Sequence, residues 1–167
     1  MQKPIIIAII AIIAASAALT SAEIITIDNI VLDGFQTVPQ TGSLATGFAT
    51  MTVNTETRDF TIDGTFSGLE GEVTIGHLHG PAEAGEPGNL VFFSLEIGGD
   101  FGDSGTFHVS RRVSTFHLGV ILDSRSYINI HSTAHPAGEI RGQIYVPAPS
   151  SIGLLAFGGL LATRRKR

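Results

Sequence analysis

Six histidines are the residues of this chain best suited to chemistry, and three of them fall in patterns that matter. His77 and His79 are separated only by Leu78. On a β-strand, alternate residues share a face, so the two imidazoles point the same way and can chelate one ion. His131 ends the run Tyr127-Ile128-Asn129-Ile130-His131, and Pro136-Ala137-Gly138-Glu139-Ile140-Arg141-Gly142-Gln143-Ile144 follows closely. If residues 127–131 and 139–143 form a hairpin about His135, His131 lies opposite Glu139 and Asn129 opposite Arg141. Those four then share a polar face, while Ile128, Ile130, Ile140 and Ile144 line the other. Imidazole is a good ligand for copper and zinc, so His77, His79 and His131 are a candidate metal site if they converge. Histidines that merely fix turns and strand ends account for the same residues if they do not.

Other chemistry is thinly represented. His108, His117 and His135 read as isolated surface or turn histidines, and Glu70 and Glu72 as solvated carboxylates flanking Gly71. Asp100-Phe101-Gly102-Asp103 offers oxygen ligands for calcium but lacks the ligand series of an EF-hand. Glu139 and Arg141 read most simply as a surface ion pair of small energetic value. There is no Gly-x-Ser-x-Gly elbow, no phosphate loop and no cysteine, so hydrolase, kinase and thiol chemistries have no starting motif. The expectation is a chain that is not an enzyme and needs no cofactor, with copper or zinc as the alternative.

The elements that must position these residues are strands. Strand signals recur at short spacing with Gly-rich turns between them, as in a sandwich or barrel. Residues 23–32 form a β-branched run. Residues 47–53 and the same-parity set Phe60, Ile62 and Phe66 flank the turn Asn54-Thr55-Glu56-Thr57-Arg58 as a hairpin. Residues 72–79 end at Gly80-Pro81, and a loop at 83–89 leads to an apolar strand over 90–97 and a shorter one over 105–110. Phe116 with Val120, and Leu118 with Leu122, fall at helical spacing behind a possible Ser114 cap, so one short helix is predicted over 114–122. Strands over 127–131 and 139–145 close a single domain at 23–145, without internal repeats.

Both ends differ in kind from this domain. Met1-Gln2-Lys3-Pro4, an apolar stretch over 5–15 and small residues up to Ala22 make the tripartite pattern of a signal peptide, with cleavage after Ala22 and Ala15-Ser16-Ala17 as a second site. The alternative is an uncleaved anchor. Val146-Pro147-Ala148-Pro149 is followed by Ser150-Ser151, apolar residues 152–162 and Thr163-Arg164-Arg165-Lys166-Arg167. The apolar stretch is short for a spanning helix, and the basic cluster would halt translocation, so the tail reads as a sorting signal held briefly in the membrane and then cut, with a plain C-terminal anchor as the alternative. Both stretches are read as apolar helices. All fifteen acidic residues lie between Glu23 and Glu139, against five basic ones (Arg58, Arg111, Arg112, Arg125 and Arg141), so residues 23–145 carry about −10 where the whole chain carries −5. Such a domain repels phosphate backbones, which argues against nucleic acid as a partner.

Two resemblances follow from these motifs. The order and spacing of Val146-Pro147-x-Pro149, the apolar stretch and Arg164-Arg165-Lys166-Arg167 resemble the PEP-CTERM sorting tail, although Ala148 stands where the usual motif has Glu. That resemblance implies processing by an exosortase in a Gram-negative bacterium that makes exopolysaccharide. It implies an exported protein of the envelope, outer surface or extracellular matrix, held in the inner membrane only transiently through its termini. Signal peptidase and an exosortase-type enzyme are then its processing partners. Gly76-His77-Leu78-His79-Gly80-Pro81-Ala82, the 127–131 run and the 136–144 run together resemble the CHRD domain, named for chordin, over residues 42–145. This implies an all-β, Greek-key, immunoglobulin-like sandwich or barrel similar to Cu/Zn superoxide dismutase, in a family without a settled molecular activity. By motif order, His77, His79 and His131 would stand where the dismutase has copper ligands and Arg141 where it has an anion guide. The long metal loop and the disulfide of that enzyme are missing. The leading expectation is therefore a non-catalytic module binding exopolysaccharide or surface proteins. Metal binding is the runner-up, and dismutase activity comes third.

Overall fold

A computed structural model describes residues 23–88 and 90–147. The predicted signal segment with its Ala22 cleavage site, and the tail residues Pro149, Arg164, Arg165, Lys166 and Arg167 with both apolar helices, lie outside the described residues. Eight strands and one helix follow in order: β1 (Ile24–Asp33), β2 (Thr46–Asn54), β3 (Asp59–Ser67), β4 (Val73–His79), β5 (Val91–Gly98), β6 (Gly105–Arg112), α1 (Thr115–Leu122), β7 (Ser126–Ser132) and β8 (Ile140–Ile144). They close into a barrel in the spatial order β1-β2-β3-β6-β5-β4-β7-β8. Every pairing is antiparallel. The β4-β5-β6 meander is entered from β3, which lies beside β6, and left to β7, which lies beside β4. These two returns are Greek keys.

Alternation of residue type builds the barrel. On β2 the buried positions are Gly47, Ala49, Met51 and Val53, and on β3 Phe60, Ile62 and Phe66, with the residues between them turned outward. The expected hairpin between these strands is present, with Val53 opposite Phe60. Its turn is held by Asn54 Oδ1, which accepts the amides of Glu56 and Thr57 at 2.9 Å each. Leu32, Phe60, Met51, Ile62, Leu78, Phe107, Ile128, Ile130, Ile140 and Ile144 are fully buried in the interior. Each such side chain contributes about 1.5–3 kcal/mol through burial. Phe107 reaches across to β3, where a Cβ on Gly64 would stand 2.2 Å from its ring, so only glycine fits beneath it. The helix forms as predicted, and Ser114 caps it by accepting the His117 amide at 3.2 Å. Its buried residues are Val120 and Ile121, whereas Phe116 is exposed, so its docking face is narrower than the spacing suggests.

The last two strands depart most from simple alternation. Every residue of β7 and of β8 is buried. Ile128, Ile130, Ile140 and Ile144 point into the core as expected. The opposite, polar face is buried too, because residues from the 34–43, 80–88 and 133–139 loops close over it. β1 and β8 close the barrel through one register pair, Asp33 with Arg141. The Gln36 carboxamide takes the place of further ladder bonds: Nε2 donates to the Val31 carbonyl at 2.8 Å, and Oε1 accepts the Gln143 amide at 3.0 Å. Gln36→Ala removes both bonds at this seam. It is expected to destabilise the domain by about 1–3 kcal/mol in a urea titration, whereas the exposed neighbour Phe35→Ala should leave the midpoint nearly unmoved. Val146 belongs to the barrel as well. Its amide donates to Ser124 Oγ at 2.9 Å, and its side chain packs on the core.

Candidate metal centre

β4 and β7 are neighbours, and their register sets the site. His77 lies opposite Asn129, Ile75 opposite His131 and His79 opposite Tyr127. The outer face of β4 therefore presents His77 and His79, and β7 answers with Tyr127, Asn129 and His131. The three imidazoles converge: one nitrogen from each of His77, His79 and His131 lies within 4.8 Å of the others. His77 Nδ1 and His131 Nε2 are 3.2 Å apart. Two nitrogens bound to one tetrahedral zinc at about 2.0–2.1 Å stand roughly 3.4 Å apart, so this pair is already at chelating separation. His79 and His131 are each 8% exposed, and His77 is half-buried.

Surrounding groups orient the rings. The Pro136 carbonyl lies 2.9 Å from His131 Nδ1, so that nitrogen carries the proton and donates, leaving the lone pair on Nε2 facing His77. His79 stacks on Tyr127 with ring centroids 5.1 Å apart and planes within 8°. The Leu90 carbonyl lies near the His79 ring, but neither His79 nitrogen makes a well-formed hydrogen bond among the described residues. The Tyr127 hydroxyl is held by Gly88, donating to its carbonyl at 3.0 Å and accepting its amide at 3.2 Å. Gly138, at φ +119°, passes so close to Asn129 that a Cβ there would stand 2.3 Å from the amide. A cleft of about 540 Å³ opens over His79, Asn129 and His131.

Electrostatics keep the rings neutral. Burial, then the neighbouring His131, lowers the pKa of His77. Burial, aided by His77 and His131 and opposed by the Leu90 carbonyl, brings His79 down to about 4. Burial lowers His131 also, against the opposing pull of the Pro136 carbonyl. Neutral imidazole is the form that binds metal. The unfolded chain takes up a proton at His79 near pH 6.5 and the folded one only near 4, so stability falls as pH drops through that window. His79 alone is expected to account for roughly 3 kcal/mol of this loss, visible as a falling melting temperature of metal-free protein between pH 6.5 and 4. A His79→Phe variant should show a flatter profile.

Several sequence expectations change here. Asn129 does lie opposite Arg141, and the hairpin turns where predicted, with Ile130 opposite Ile140. Glu139, however, is neither on the site nor paired with Arg141. It is fully buried and accepts from Ser43 Oγ at 2.7 Å, from the Glu70 amide at 2.7 Å and from Ser132 Oγ. It precedes β8 and turns inward to loop donors that only the folded chain assembles. Arg141 is 2% exposed and donates to the carbonyls of Glu86 at 2.7 Å and Glu83 at 3.1 Å and to Gln143 Oε1 at 2.7 Å. Its guanidinium lies 3.6 Å from the Tyr127 ring centroid. It is a clamp on the 83–88 loop, which overturns the surface ion pair.

The three other histidines are engaged rather than isolated. His108 pairs with Asp63 at 2.7 Å and His135 with Glu70 at 2.8 Å, while His117 packs on Phe92 and Phe93. In the acidic loop, the Gly102 and Asp103 carbonyls accept the amides of Val73 and Leu69. Those oxygens serve the fold. Sequence reasoning missed Tyr127 and Gly138 as parts of the site. Their only signal was membership of the motifs flanking Asn129 and His131.

An eight-stranded Greek-key barrel with a loop-covered histidine cluster on its outer wall is the class of protein that this fold and site define. The CHRD domain model matches residues 29–144, and the chain belongs to that family. No curated protein and no solved structure matches it.

Proposed function

We propose that this chain is an exported, non-catalytic CHRD module that binds one copper or zinc ion through His77, His79 and His131. The observation that carries the reading is the convergence of three imidazole nitrogens within 4.8 Å, two from buried rings and one from the half-buried His77. Three nitrogen ligands and an opening to a cleft suit zinc or copper, whereas calcium and magnesium prefer oxygen. His131 bonded through Nδ1 to a backbone carbonyl is the second contact that metal-ligating histidines usually make. The three hydrogen bonds of Arg141 account for its place as a loop clamp, and dismutase turnover forms no part of the proposal. Isothermal titration of the purified protein with Zn(II) and with Cu(II) tests it. One equivalent bound at neutral pH is expected, and absence of binding for both ions would refute the assignment.

Export rests on the two end segments, with signal peptidase acting after Ala22 and an exosortase-type enzyme at the Val146-Pro147-Ala148-Pro149 tail. Intact-mass measurement of the mature protein is expected to show a product starting at Glu23 and lacking Arg167. A second binding surface is supported by the larger groove of about 1080 Å³ along β1, where Phe35 and Tyr145 are about 60% exposed. Exposed aromatic rings of this kind suit exopolysaccharide or surface-protein partners in the envelope.

A further inference from the structure

Buried polar atoms without a hydrogen-bond partner are rare in folded proteins, and each calls for an explanation. Among the described residues there are four such side-chain atoms: His79 Nδ1, His79 Nε2, Ser126 Oγ and Asn129 Oδ1. Three of the four belong to the outer face of β4 and β7. Two are nitrogens of a proposed ligand. The third is the amide oxygen of the residue lying directly opposite His77 and two positions before His131.

The position of Asn129 is built rather than incidental. The residue is 7% exposed, and its amide fits only because residue 138 is glycine. Its Nδ2 donates to His131 Nε2 at 3.3 Å and to the Ala137 carbonyl at 3.3 Å. The first of these bonds, together with the His77 Nδ1 contact at 3.2 Å, falls on the nitrogen whose lone pair His131 would give to a metal. An ion at His131 must therefore displace the amide hydrogen from that nitrogen. The terminal torsion of asparagine is soft and roughly two-fold, so a half-turn brings Oδ1 to the place of Nδ2, at the cost of the Nδ2 bond to the Ala137 carbonyl, which the bond to the ion must outweigh. The amide then presents to the ion the oxygen that has no partner among the described residues.

We propose that Asn129 completes the metal centre as its fourth ligand through Oδ1, giving a three-nitrogen, one-oxygen set that selects a divalent ion over a soft monovalent one. The inference rests on the histidine site proposed above. A carbonyl oxygen is a harder donor than imidazole, so it adds affinity for Zn(II) and Cu(II) and little for a soft ion satisfied by imidazoles alone. Asn129 Nδ2 also covers His131 Nε2, so metal entry and release pass through its rotation.

Affinities for Zn(II), Cu(II) and Ag(I), the last as a soft monovalent probe, are to be measured on wild type, Asn129→Ala and Asn129→Asp. Asn129→Ala is expected to weaken both divalent ions by about 10–100-fold, using the scale of lost metal-site contacts, with Ag(I) bound at least as tightly as by wild type. Asn129→Asp, nearly identical in shape, is expected to bind the divalent ions at least as tightly as wild type. Equal losses for all three ions in both variants would mean that Asn129 only supports the fold. No loss in Asn129→Ala would mean that it does not touch the ion. Either result overturns the inference while leaving the histidine site standing. A wild-type protein that binds none of the three ions overturns the histidine site itself, and this inference with it.

Discussion

His79→Phe is expected to make the metal-free protein more stable and to weaken Zn(II) and Cu(II) binding by at least about 100-fold, the upper range for loss of even an outer contact at a metal site. The two effects share one cause. His79 is 8% exposed, and neither ring nitrogen has a hydrogen-bond partner among the described residues. A buried polar group in that condition costs about 1–3 kcal/mol, which phenylalanine avoids. The swap keeps the stacking on Tyr127, whose ring lies 5.1 Å away and nearly parallel. The nearby Leu90 carbonyl already accepts the Gly80 amide and is not left bare. A gain of about 1–2 kcal/mol in denaturant unfolding of the apo protein is therefore expected. Retention of metal affinity, or a loss of apo stability, would show that His79 serves the fold and not an ion. Sites that trade stability for function behave in the predicted way.

Glu139→Ala is expected to be the most damaging single substitution on this side of the barrel, at about 3–5 kcal/mol. The carboxyl ties together three segments: Ser43 from the β1–β2 connection, Glu70 from the β3–β4 connection and Ser132 at the end of β7. Its removal strands the Glu70 amide and two hydroxyls. Those hydroxyls are themselves committed, since Ser43 Oγ accepts the Ala45 amide and Ser132 Oγ the His135 amide. Against a total stability of about 5–15 kcal/mol, such a loss brings a domain close to unfolding at 37 °C. Glu139→Gln keeps one acceptor oxygen and should lose less. Thermal unfolding checks both variants. A change below about 0.5 kcal/mol for Glu139→Ala is what an exposed ion pair with Arg141 would give, and it would contradict the buried knot.

The fate of Glu139 shows where the sequence ceases to be legible. Period-two alternation placed Ile128, Ile130, Ile140 and Ile144 inward and His77 with His79 on one face, because side-chain direction on a strand is a local property. The hairpin about His135 was readable for the same reason, and with it the pairing of Asn129 with Arg141. What covers the polar face was not readable. Burial of β7 and β8 on both sides comes from loops distant in sequence, and no local pattern encodes their closure. Arg141 therefore looked like a surface cation, although Glu83 and Glu86 supply it with backbone carbonyls from more than fifty residues away. His108 and His135 looked isolated because their partners, Asp63 and Glu70, are reached only through strand pairing and loop packing. The histidine triad lies between these cases. The pair on β4 was local, but the arrival of His131 beside it depended on β4 and β7 being neighbours.

That adjacency carries the functional proposal, and one measurement addresses it directly. Crystals of the protein loaded with one equivalent of Zn(II) or Cu(II), measured at the absorption edge of the ion, give its position from anomalous scattering. The predicted result is a single peak at about 2.0–2.2 Å from His77 Nδ1, His131 Nε2 and one nitrogen of His79. A peak elsewhere on the barrel, or no ordered peak under saturating metal, would contradict the account.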